Sequence, residues 1–61
     1  METVVEVEEK NGVTLLEVVS ASARCYVVRS IHTAVERHFD DLARARAELE
    51  SWVANGGLPK D

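Results

Sequence analysis

Two runs of alternating apolar and polar residues, Val4-Val5-Glu6-Val7-Glu8 and Val13-Thr14-Leu15-Leu16-Glu17-Val18, flank the dipeptide Asn11-Gly12. A period of two is the signature of a half-buried strand, and Asn-Gly is the preferred pair for a two-residue hairpin turn in which both central residues take positive φ. The turn sets a register: Lys10 opposite Val13, then Glu9 with Thr14, Glu8 with Leu15, Val7 with Leu16, Glu6 with Glu17 and Val5 with Val18. Alternation then sorts the side chains. One face receives Val5, Val7, Thr14, Leu16 and Val18. The other receives Glu6, Glu8, Glu17 and Lys10 among Val4, Val13, Leu15 and Val19. Directly opposed like charges such as Glu6 and Glu17 cost stability, so the acidic face is a candidate surface for something other than folding; a solvated outer face is its bland alternative.

After the small-residue link Ser20-Ala21-Ser22-Ala23, the segment Cys25-Tyr26-Val27-Val28-Arg29-Ser30-Ile31 has the β-branched and aromatic content of a third strand. Ala34 to Phe39 is expected to return as a fourth, pairing Arg29 with Glu36 and Tyr26 with Phe39. Its turn is the weak point, because Thr33 disfavours positive φ and no glycine is at hand. From Asp40 onward Leu42, Ala45, Leu49, Trp52 and Val53 fall at helical spacing, with Asp40 or Asp41 as N-cap. Asn55-Gly56-Gly57 then supplies a left-handed stop, with Leu58 set to fold back and Pro59 blocking continuation. Asp40 with Arg44 and Arg46 with Glu50 stand at i, i+4 spacing for exposed ion pairs.

These elements make an α+β domain: an antiparallel sheet of three to four strands packed on one C-terminal helix, spanning residues 1–61. The expected core is Val5, Val7, Leu16, Val18, Tyr26, Val28, Phe39, Leu42, Leu49 and Trp52. A competing pattern runs through the same residues. Val28, Ile31, Val35, His38, Leu42, Ala45, Leu49 and Trp52 also fit an a/d heptad, which would give a hairpin followed by a long helix or a helix pair. Strand preference at Tyr26-Val27-Val28 and the polar His38 at a core position favour the sheet.

Composition narrows what such a domain does. With 61 residues and one cysteine, Cys25, it buries only about 60% of its unfolded surface and has no internal disulfide to help. A reducing compartment fits best. The first residues show neither a basic region nor an apolar stretch, so a cytoplasmic protein without membrane contact is expected. The net charge of −4 argues against nucleic-acid binding by phosphate neutralisation, yet residues 1–20 hold five acids against Lys10, while residues 21–47 carry Arg24, Arg29, Arg37, Arg44 and Arg46 against Glu36, Asp40 and Asp41. Such asymmetry bears on partner choice more than on fold.

No constellation of residues calls for catalysis or a cofactor. Cys25 with His38 lacks a third group to orient the imidazole, and Cys25, His32 and His38 fall short of the four ligands of a structural zinc site. Asp40 and Asp41 read as a helix cap rather than a carboxylate pair. Gly-rich phosphate loops and nucleophile elbows are missing. The domain is therefore expected not to be an enzyme.

Function then rests on the acidic face. Carboxylates about 5 to 7 Å apart across and along strands are spaced like successive phosphates, so Glu6, Glu8 and Glu17, with Val13 and Leu15 as apolar contacts, are expected to dock on the basic surface of a larger protein and act as a stoichiometric inhibitor. In size and charge the chain resembles the small phage-encoded anti-CRISPR proteins, a likeness of bulk properties that carries no residue roles with it. Two other readings remain open. One is self-association through Val13, Leu15 and Val19 or an open strand edge, giving a homodimer. The other is a small nucleic-acid-binding regulator using the central arginines.

Overall fold

The computed structural model describes residues 2–59. Asn11 and Gly12 both adopt positive φ, 54° and 83°, as the hairpin turn requires, and the Glu9 carboxylate accepts a hydrogen bond from the Gly12 N–H at 3.0 Å. The turn joins β1 (Thr3–Lys10) to β2 (Val13–Val19). β3 (Arg24–Ser30), β4 (Glu36–Phe39) and the helix α1 (Leu42–Ala54) follow. The sheet is an antiparallel meander, β1-β2-β3-β4, with α1 covering one face.

Three rungs of the first hairpin follow the expected register: Lys10 with Val13, Glu9 with Thr14 and Glu8 with Leu15. A bulge between Glu6 and Glu8 then leaves Val7 without an opposite residue. The pairs beyond are Glu6 with Leu16, Val5 with Glu17 and Val4 with Val18, each one step from the expected ladder. One extra residue reverses the faces of everything past it, and the expected opposition of Glu6 and Glu17 disappears.

β2 pairs with β3 so that Val13 meets Ser30, Leu15 meets Val28 and Glu17 meets Tyr26. Since β3 buries Tyr26 and Val28 beneath the helix, the same rungs take Val13 and Leu15 there too. The core is Val13, Leu15, Tyr26, Val28, Ala45, Leu49 and Trp52, with Phe39, Leu42 and Val53 packed around it. This corrects the expected core in the hairpin: Leu16 and Val18 are half-buried on the opposite face, and Val5 and Val7 are 47% and 39% exposed. Both phases of β2 are apolar, so alternation within the hairpin cannot choose between them. The rungs to β3 can.

β3 and β4 pair as the sequence indicates, Tyr26 with Phe39 and Arg29 with Glu36. Residues 24–30 and 36–39 are thus strands joined by a loop rather than heptad helix, the fourth strand starting at Glu36 and not at Ala34. Its glycine-free connection works because hydroxyls accept the stranded backbone donors. Ser30 Oγ takes the His32 N–H at 3.1 Å and Thr33 Oγ1 takes that of Val35 at 3.2 Å, while the Gly12 carbonyl accepts from Ile31 N.

Asp41 caps α1 from an extended conformation, its carboxylate accepting from Ala43 N at 2.8 Å. At the other end Gly56 takes φ 74° and Gly57 N donates to the Trp52 carbonyl at 2.8 Å, the six-to-one bond of a Schellman stop. Leu58 stays 43% exposed and does not close over the last turn. Gly57 docks instead, buried, with its carbonyl accepting from Ser30 Oγ at 2.5 Å. Trp52, fully buried, donates from Nε1 to Glu48 at 2.8 Å.

Candidate protein-interaction surface

Strand pairing decides where each acid of the hairpin goes. Glu8 and Glu17 lie on the helix-bearing side, opposite Leu15 and Tyr26, and both are engaged there. Glu8 pairs with Lys10 at 3.2 Å and with Arg46 at 3.6 Å. Lys10 in turn reaches Glu50 at 2.9 Å, so Arg46 and Glu50 each turn to β1 rather than to each other. The Lys10 ammonium is held above its ordinary 10.5 by the hydrogen bond it donates to Glu50 and then by Glu8. Glu17 pairs with Arg24 at 3.4 Å and accepts from the Tyr26 hydroxyl at 3.4 Å.

Of the expected partner-binding set, only Glu6 stands on the opposite, uncovered face. Val13 and Leu15 have no exposed surface at all, so the sequence-based assignment of those two as contact residues is corrected: the helix occupies them. The bulge at Val7 separates Glu6 from Glu8, and the β2–β3 register carries Glu17 beneath the helix side.

The uncovered face has an apolar centre. Leu16, Val18 and Cys25 are half-buried, and Val27 is nearly buried by its neighbours although no layer lies above it. Val4 extends this patch at 55% exposure. Around it stand Glu6, Glu9, Arg29 and the Glu36–His38 pair, whose side chains approach at 3.6 Å. A surface cavity of about 250 Å³ opens on the same face, lined by Glu6, Gly12, Thr14, Leu16, Arg29, Ser30 and Ile31. Glu6 on β1 and Arg29 on β3 flank it from two strands apart, and neither side chain has a hydrogen-bond or ion-pair partner among the described residues. Ile31 stands at its rim, 81% exposed.

A second exposed feature is the outer edge of β1. Among the described residues no strand lies beside it, and Val4, Val5 and Val7 are exposed along it in company with Glu2, Glu6 and Glu9.

The remaining candidate residues are dispersed. His32 packs at the opposite end of the sheet from Cys25, against Gly12 and Gly57. His38 lies on the rung of Val27, not that of Cys25. Among the described residues no three His, Cys, Asp or Glu side chains converge as metal ligands, and no helix is long and apolar enough to cross a membrane. The arginines do not form one patch: Arg24 and Arg46 are paired with acids, Arg37 lies on the helix side of β4, and Arg29 on the opposite face.

Alternation within each segment gives no hint of the Glu6–Arg29 arrangement. The two residues become neighbours around one cavity only through the bulge and the β2–β3 register. Compared with family models, curated proteins and solved structures, the chain matches none.

Proposed function

We propose that this chain is a stoichiometric protein-binding module that engages a basic surface of a larger protein through the acidic edge of β1. The observation that carries the reading is the edge itself: Val4, Val5 and Val7 are exposed on a strand whose outer side pairs with no other strand among the described residues, beside Glu2, Glu6 and Glu9. Exposed valines on an edge are a liability unless something covers them, and the flanking carboxylates select a cationic partner while repelling like-charged ones. Occlusion of a nucleic-acid-binding surface, as small phage-encoded inhibitors achieve, follows where the partner's basic residues serve nucleic acid. The role asks no catalysis of the domain.

Affinity capture from nuclease-treated lysate tests the reading, comparing wild type with folded Glu2→Lys/Glu9→Lys and Val5→Thr/Val7→Thr variants. A basic protein retained by wild type at low salt, and lost with either variant or at high salt, supports it. Capture that is indifferent to both variants overturns it.

A further inference from the structure

The uncovered sheet face carries its own complement. Glu6 and Arg29 are opposite charges without side-chain partners among the described residues, and they sit on opposite sides of one cavity, on β1 and β3, with Thr14 and Leu16 of β2 between them. A two-fold axis lying in the plane of contact and passing through that cavity places Glu6 of one copy over Arg29 of the other. By symmetry it places Arg29 over Glu6 as well. The same axis brings the apolar centre around Leu16, Val18 and Val27 onto its own image, giving an apolar middle and a polar rim. Ile31, 81% exposed at the cavity rim, adds apolar surface that gains from being covered.

We infer that the protein forms a face-to-face homodimer through this surface, held by two reciprocal Glu6–Arg29 ion pairs around a core of Leu16, Val18 and Val27. Glu6 belongs both to this face and to the β1 edge, so a second copy and a basic partner would compete for it. The dimer rests on Arg29 and the apolar centre and does not require the partner reading above. Four strands at about 4.8 Å and about six residues at 3.3 Å give a face of about 19 by 20 Å. That is about 400 Å² in projection per copy and about 800 Å² for the pair, under the roughly 1,000 Å² of a stable interface, so the dimer is expected to be weak, with a Kd on the order of 100 µM.

Sedimentation equilibrium from about 1 to about 500 µM, at low salt, reads the result directly. Wild type is expected to pass from monomer mass towards dimer mass across this range. Arg29→Glu and Glu6→Arg should each weaken the dimer tenfold or more, because each replaces two attractions with two repulsions, whereas the double charge swap should restore it to within about threefold of wild type. Far-ultraviolet circular dichroism confirms that the variants are folded. A wild type that stays monomeric at the highest concentration overturns the inference, as does a dimer that either single reversal leaves intact or that the swap fails to restore. Capture of a basic partner by Arg29→Glu as efficient as by wild type would separate the two surfaces.

Discussion

Replacing Gly57 by alanine tests the packing of the C-terminal loop against the hairpin. Gly57 has φ 84°, and a Cβ there would lie 2.5 Å from His32 Cδ2, 3.1 Å from His32 Nε2 and 3.3 Å from the Asn11 carbonyl. The left-handed backbone costs an L-residue about 1 kcal/mol. The clash is relieved only if the His32 ring leaves its place on Gly12 and Gly57, and the Asn11 carbonyl still crowds the new methyl, which adds about 1 to 2 kcal/mol. A total of about 2 to 3 kcal/mol corresponds to a fall in Tm of about 10 to 20 °C for a domain this small. Gly56 is the internal control, with φ 74° and nothing within 4 Å of its ideal Cβ, so Gly56→Ala should lose only about 1 kcal/mol. Urea unfolding followed by the emission of Trp52, fully buried in the native state, measures both. In a His32→Ala background the cost of Gly57→Ala should drop towards that of Gly56→Ala. Equal costs at the two glycines, or a Gly57→Ala cost that His32→Ala leaves unchanged, would refute the reasoning.

The assignment of faces predicts that Leu15→Ala costs about 2 to 5 kcal/mol, well above Leu16→Ala, which urea unfolding of the pair decides. Ser30→Ala removes the hydroxyl that donates to Gly57 O and accepts from His32 N; leaving a buried carbonyl unpaired should cost about 1 to 3 kcal/mol, with faster amide exchange in the 31–35 loop. For Lys10 the sign follows from its raised pKa. Its pairing stabilises the fold fully below 10.5 and is lost as pH climbs through the higher folded-state value. The stability difference between wild type and Lys10→Met should therefore be level from neutral pH to about 10 and then vanish, and a difference that persists at the alkaline end would contradict it.

Local rules sufficed where a single segment carried its own punctuation. Asn11-Gly12 announced the turn, Asp41 and Asn55-Gly56-Gly57 bracketed the helix, and the Arg29–Glu36 and Tyr26–Phe39 rungs gave the last hairpin its register. They failed where the answer lay between segments. In Val13-Thr14-Leu15-Leu16-Glu17-Val18 the adjacent leucines make either phase a plausible core face, and only pairing with β3 selects Leu15. The bulge at Val7 leaves no local sign, since neither glycine nor proline marks it. The candidate site inherited both errors: Glu6, Glu8 and Glu17 share a face only in an unbulged hairpin, and Val13 and Leu15 belong to a contact surface only when the helix packs on the other side.

A meander in which each strand pairs with the next, finished by the helix, also prescribes an order of events. All three strand pairings join neighbours in sequence, so the sheet closes through short loops and should assemble quickly. Its apolar side is completed last. Val13, Leu15, Tyr26 and Val28 remain wet until Leu49 and Trp52 of α1 pack on them. A sheet that closes through local pairings before the helix docks therefore shows a greasy surface until α1 covers it. That interval, rather than the folded state, is when such a chain is most exposed to aggregation.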